Sequence, residues 1–119
     1  DFFLCGHNIK NFDIPYLGKK FLSNSIKPPQ ILPSYSTKPW EIKAIDTKEL
    51  WGFSSNYGLS SLDLMCVSMG LNSPKTGSIS GSNIHTQYWY ESKLSDISEY
   101  CEKDVESLLK IIKKIYELK

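Results

Sequence analysis

The sequence predicts an α/β fold with parallel strand pairing, and three observations carry that expectation. Two short apolar runs, Phe2–Cys5 and Ile42–Ile45, each end in turn-forming or cap-forming residues. A helical apolar pattern lies between them, and strand–helix–loop–strand order implies a crossover and parallel strands. The third observation is the most regular periodic segment of the chain, Leu94–Tyr116, where Leu94, Ile97, Cys101, Val105, Leu108, Ile112 and Ile115 recur in steps of three and four.

The elements follow in order. Phe2–Cys5 reads as an interior strand closed by the turn residues Gly6, His7 and Asn8. Phe12–Ser23 reads as a helix whose apolar face is Tyr16, Leu17, Phe21 and Leu22. Pro15 fits its first turn, where no intrahelical N–H donor is needed, and Asn11 or Asp13 is placed to cap it. Asn24–Trp40 holds Pro28, Pro29, Pro33 and Pro39 among Ser, Lys and Tyr and reads as an exposed loop. After the second strand, Asp46 and Thr47 look like the cap of a short helix through Trp51 or Phe53. Ser60 or Ser61 opens another helix, bearing Leu62, Leu64, Met65, Val67 and Met69 and closed by Gly70. Asn72–Ser82 is small, polar and turn-forming. Asn83–Glu91 reads as a short helix, and Ser95 or Asp96 precedes the last one.

Composition bounds the rest. A chain of 119 residues, 40% hydrophobic and 13% aromatic, suits one modest globular domain. The net charge is +1, so no global field advertises a polyanionic partner. All 14 basic residues are Lys, so any phosphate contact uses an ammonium, a hydroxyl or a backbone amide rather than a guanidinium fork. Cys5, Cys66 and Cys101 are scattered and read as reduced, mostly buried thiols of an intracellular, cytoplasmic protein. No apolar run reaches membrane-spanning length. The chain opens on DFFLCGHN without an initiating Met or a leader pattern, and two short strands are rarely stable alone. We therefore expect a fragment that begins inside a domain, with sheet partners encoded upstream or supplied by another copy through an exposed sheet edge.

Two carboxylates stand out. Asp104 breaks the apolar pattern of the terminal helix, yet its helix-face neighbours are Ile97, Tyr100, Cys101, Leu108 and Ile111. A charge aimed at an apolar side is paired, protonated or metal-bound. Asp13 falls at the first turn after a strand, the end of the sheet where ligands bind in α/β folds. Acids gathered in such a crevice suit hard divalent cations, and an ion pair about 4 Å apart can hold both oxygens of a phosphodiester displacement. Tyr100 precedes Asp104 by one turn, where its hydroxyl could orient a water. Capping remains the structural alternative for Asp13 and Asp46. His7 and His85 lack ligand spacing with any Cys, which argues against zinc.

The run from Asn8 through Phe12 and Asp13 to Leu17 resembles the second exonuclease motif of proofreading domains, Asn-x-x-x-Phe-Asp. The run Tyr100 to Asp104 resembles the third motif, Tyr-x-x-x-Asp, of the tyrosine subclass of DEDD-type enzymes. The segments IDTKEL, GLSSLDLMCVSMGL and SPKTG between them also resemble stand-alone 3′–5′ exonucleases related to family B DNA polymerases. This resemblance implies a ribonuclease-H-like fold, of which the chain would be the carboxyl-terminal two-thirds. It implies Mg²⁺ or Mn²⁺ held by Asp13 and Asp104, and a water aligned by Tyr100. It places Asn8 and Phe12 at the 3′-terminal nucleotide of single-stranded DNA and Lys75 near the phosphate. The first motif, Asp-x-Glu, is absent, since Asp1 comes too late and has no partner Glu; the fragment alone is therefore expected to be inactive. The alternatives are a non-catalytic nucleic-acid-binding or oligomerising fragment and a 3′–5′ exoribonuclease.

Overall fold

The computed structural model describes residues 2–55, 60–75 and 79–118. Among them are two parallel strands and five α-helices, in the order β1 (Leu4–Gly6), α1 (Asp13–Ser23), β2 (Ala44–Asp46), α2 (Thr47–Gly52), α3 (Leu62–Ser68), α4 (Ile84–Trp89) and α5 (Leu94–Glu117). The chain divides into two compact units, Asp1–Gly58 and Leu59–Lys119. No described helix is long and apolar enough to cross a membrane.

In the first unit, β1 and β2 pair in parallel with Leu4 opposite Ala44, Cys5 opposite Ile45 and Gly6 opposite Asp46. The crossover order predicted this pairing, but the strands sit one to two residues later than the apolar runs suggested. Phe2 and Phe3 lie before β1, and Phe2 is 87% exposed rather than interior. Cys5 is exposed as well, so the expectation of mostly buried thiols holds only for Cys66; Cys101 is exposed too. The buried residues of this unit are Gly6, Ile14, Leu32, Asp46 and Thr47.

Gly6 is buried at the end of β1, and a Cβ there would run into the Cγ2 methyl of Ile9. The strand can turn this tightly only because that atom is missing. Gly6→Ala is expected to cost about 1–3 kcal/mol through forced repacking at Ile9. Chemical denaturation of the variant checks this, and a loss under 0.5 kcal/mol, roughly the surface-substitution range, would count against it.

Among the described residues the second unit holds three helices, with α3 and α4 both packed on α5. Its buried apolar residues are Met65, Cys66, Ile79, Leu108 and Ile111. Ser61 is the N-cap of α3, its hydroxyl accepting from the Leu64 N–H at 3.2 Å. Gly70, at φ +69°, closes the helix in a Schellman arrangement: Leu71 N–H donates to Cys66 C=O at 2.8 Å and Gly70 N–H to Val67 C=O at 3.0 Å. Both the opening Ser and the closing Gly were readable in the sequence. Helix α4 is shorter than expected. Helix α5 starts at Leu94, one residue before the first expected cap, with Lys93 at the N-cap.

The inward face of α5 differs from the stripe that apolar spacing selected. Leu94 and Val105 are 62% and 58% exposed, and Cys101 faces solvent. Ser107, Leu108 and Ile111 are buried, and Ile97, Tyr100, Asp104 and Ile115 are half-buried. The inward line is therefore rotated by less than one residue step and runs through Asp104 itself.

Candidate active site

The motif at the amino end is built by a turn and the helix that follows it. Asn8 adopts φ +64°, a left-handed conformation that Asn tolerates better than most side chains. The turn is held from β2 and α2. Asp46, only 2% exposed, accepts from the Asn8 N–H at 2.7 Å and the Lys10 N–H at 3.1 Å. It also caps α2 by accepting from the Lys48 N–H at 3.0 Å. Thr47, fully buried, donates its hydroxyl to the Gly6 carbonyl at 3.3 Å and lies 3.1 Å from His7 Nδ1. That pair is satisfied when Nδ1 carries the proton. Lys10 Nζ pairs with Glu49 at 2.6 Å, and Lys48 Nζ lies 3.5 Å from Asn8 Oδ1. His7 and Asp46 are thus structural, and the capping explanation of Asp46 is correct but partial.

This staple delivers Asn8, Phe12 and Asp13 in a fixed order. The N-cap of α1 is Phe12, with no side-chain cap, so neither Asn11 nor Asp13 fills that role. Asp13 is the first helical residue, and its exposed carboxylate lies where the helix dipole favours negative charge. Phe12 is 64% exposed, which removes the reading of it as a core residue.

The motif at the carboxyl end lies on α5. Tyr100 and Asp104 are one turn apart and half-buried. Burial first, then the Asp104 charge and hydrogen bonding toward that carboxylate, push the Tyr100 hydroxyl above its ordinary pKa. Tyr100 therefore stays a neutral phenol that can donate at neutral pH. Beneath it, the Cys66 thiol is pushed up by burial, with the charges of Asp63 and Asp104 adding to the rise, while a hydrogen bond with Ser107 opposes it.

Lys75 is exposed, and its N–H donates to Ser73 Oγ at 3.1 Å. Ser73 in turn donates to Asp63, which fastens the start of this loop to α3. The loop residues 76–78 lie outside the described residues, as does Asp1.

The donor chemistry fits a hard divalent cation. Asp13 offers exposed carboxylate oxygens, and Asp104 brings a half-buried carboxylate, the hard oxygen donors that such cations take. Asp13 belongs to the first unit and Asp104 to the second. Among the described residues no three or more His, Cys, Asp or Glu side chains form a metal cluster.

Sequence reasoning missed the staple of Asp46, Thr47 and Glu49 onto the Gly6–Lys10 turn. Its partners are separated by 36 to 41 residues, and no local pattern reports such contacts. No curated protein and no solved structure matches the chain. The family model described as a predicted 3′–5′ exonuclease related to the exonuclease domain of PolB matches residues 3–109, a span holding both motifs and everything between them. The chain belongs to that family of predicted 3′–5′ exonucleases.

Proposed function

We propose that this chain is part of a metal-dependent exonuclease that hydrolyses phosphodiester bonds from the 3′ end of single-stranded DNA, on a ribonuclease-H-like domain. The observation that carries the reading is the half-buried Tyr100–Asp104 pair, one turn apart on α5 and following an ordered Asn-x-x-x-Phe-Asp motif. In this reading Asp13 and Asp104 would each serve as a carboxylate ligand to divalent cations. A bound Mg²⁺ or Mn²⁺ supplies Lewis-acid stabilisation of the phosphoryl oxygens and a more acidic water. Tyr100, kept neutral with its hydroxyl hydrogen directed at Asp104, accepts from the attacking water through its hydroxyl oxygen and so positions it. Asn8 and Phe12 hold the terminal nucleotide, Phe12 by packing its exposed ring on sugar or base. Lys75 sits near the scissile phosphate.

The test is digestion of 5′-labelled single strands by the intact protein with Mg²⁺ or Mn²⁺. A ladder shortening from the 3′ end is expected, faster on DNA than on RNA of the same sequence. Faster trimming of RNA would make it an exoribonuclease, and no shortening of either would end the reading. Tyr100→Phe is expected to lower the chemical rate about 10–100-fold while leaving oligonucleotide affinity unchanged, because it removes the hydroxyl that positions the water. Single-turnover kinetics measures this. A rate within a factor of two of wild type would return Tyr100 to a packing role.

A further inference from the structure

Resting on the nuclease reading, we infer that the outward stripe of α1, Phe12–Tyr16–Lys20, is a stacking track for single-stranded DNA, with Tyr16 as the base contact beyond Phe12 and Lys20 as the phosphate contact.

The stripe has no core role. The inward line of α1 is Ile14, Gly18 and Phe21, and residues 12, 16 and 20 project from the opposite side of the helix. Phe12 and Tyr16 are 64% and 52% exposed. Their rings are nevertheless held in common orientation, 6.3 Å between centroids and 7° between planes. Lys20 Nζ lies 5.5 Å from the Tyr16 ring centroid, so a cation finishes the row. Two exposed parallel rings followed by an ammonium match what a single strand offers, flat bases strung on a polyanion.

Charge selects the occupant. Residues 14–40 contain Lys19, Lys20, Lys27 and Lys38 and no Asp or Glu, although the whole chain is nearly neutral. An apolar protein partner would not need that bias, whereas a phosphate backbone does. A second exposed ring with a cation over it, Trp40 under Lys38 at 5.4 Å, lies in the same acid-free segment. The carboxylate of Asp13 follows Phe12 directly, so the row runs away from the proposed site of bond cleavage.

The experiment is fluorescence anisotropy of 5′-labelled oligo-thymidine of two, four and eight nucleotides with the intact protein in metal-free buffer, with circular dichroism melts as the folding control. Tyr16→Ala is expected to raise Kd about tenfold for the four- and eight-nucleotide strands while leaving the dinucleotide unchanged, and Tyr16→Phe to keep wild-type affinity. Lys20→Ala is expected to weaken the longer strands and to reduce the salt dependence of binding by about one phosphate contact. Wild-type affinity in both Tyr16→Ala and Lys20→Ala, or equal losses at all three lengths, would overturn the inference. Hydrolysis unaccompanied by any Tyr16 effect would end the track and spare the nuclease. Length-dependent loss in Tyr16→Ala on a protein that cleaves nothing would keep the track and end the nuclease.

Discussion

Asp104→Ala is expected to reduce 3′-end hydrolysis at least a thousandfold, roughly 4 kcal/mol of lost transition-state stabilisation, while changing folding stability by less than about 1 kcal/mol. The two halves of this expectation have separate causes. The rate falls because the carboxylate is assigned to the cations and also anchors the Tyr100 hydroxyl. Stability is spared because a half-buried charge is a poor structural investment, and removing it relieves desolvation that offsets the interactions it forfeits. Tyr100 is only half-buried, so water can replace the lost acceptor. A third readout separates the roles: without Asp104, the Tyr100 phenol should titrate at lower pH, since only burial and the lesser effect of Cys101 then raise it. Difference absorbance against Tyr100→Phe isolates that one phenol among the seven tyrosines. A variant that loses more than about 2 kcal/mol in metal-free buffer, with activity falling only in proportion to unfolding, would make Asp104 a structural acid.

Asp104 also shows how far periodicity reaches. Helix α5 was legible in extent because apolar residues recur over more than twenty positions. Its inward phase was not, because Leu94 and Val105 are apolar yet exposed, while Ser107 is polar yet buried. What sets the phase is the contact with α3, where Ser107 meets Cys66, and a helical wheel holds no record of that partner. The suspicion that Asp104 faces inward came from counting its neighbours rather than from the stripe, and the structure agrees with the neighbours. At the other motif the sequence allowed Asp13 to be a cap and Phe12 to be core. Backbone geometry decides both: the helix starts one residue earlier than a capping Asp13 requires, so the acid is left exposed and the ring before it projects outward. Parallel pairing was legible from element order alone, while the strand ends were not, since Phe2 and Phe3 satisfy an apolar pattern that the sheet does not use.

The largest stability effect is expected at Asp46, a residue that helix capping sufficed to explain from the sequence. Its carboxylate accepts three backbone N–H groups, from Asn8, Lys10 and Lys48, in a site only 2% exposed. Asp46→Ala leaves those donors in a region from which water is largely excluded. Hydrogen bonds to a charged acceptor and buried unpaired donors both carry more than the usual weight, so the expected loss is on the order of 3 kcal/mol. Asp46→Asn should recover only part of it, because an amide nitrogen replaces one of the two oxygens and faces a donor. The loss should also be coupled to the motif. Asn8 is held at positive φ by the same carboxylate that caps α2, so relaxing the turn frees Asn8, Phe12 and Asp13 together. Oligonucleotide affinity should therefore fall in Asp46→Asn even at temperatures where the variant remains folded. Chemical denaturation gives the stability change, and anisotropy below the unfolding transition gives the coupling. An Asp46→Ala loss below about 1 kcal/mol would mean that the turn is held by Thr47 and the Lys10–Glu49 pair instead.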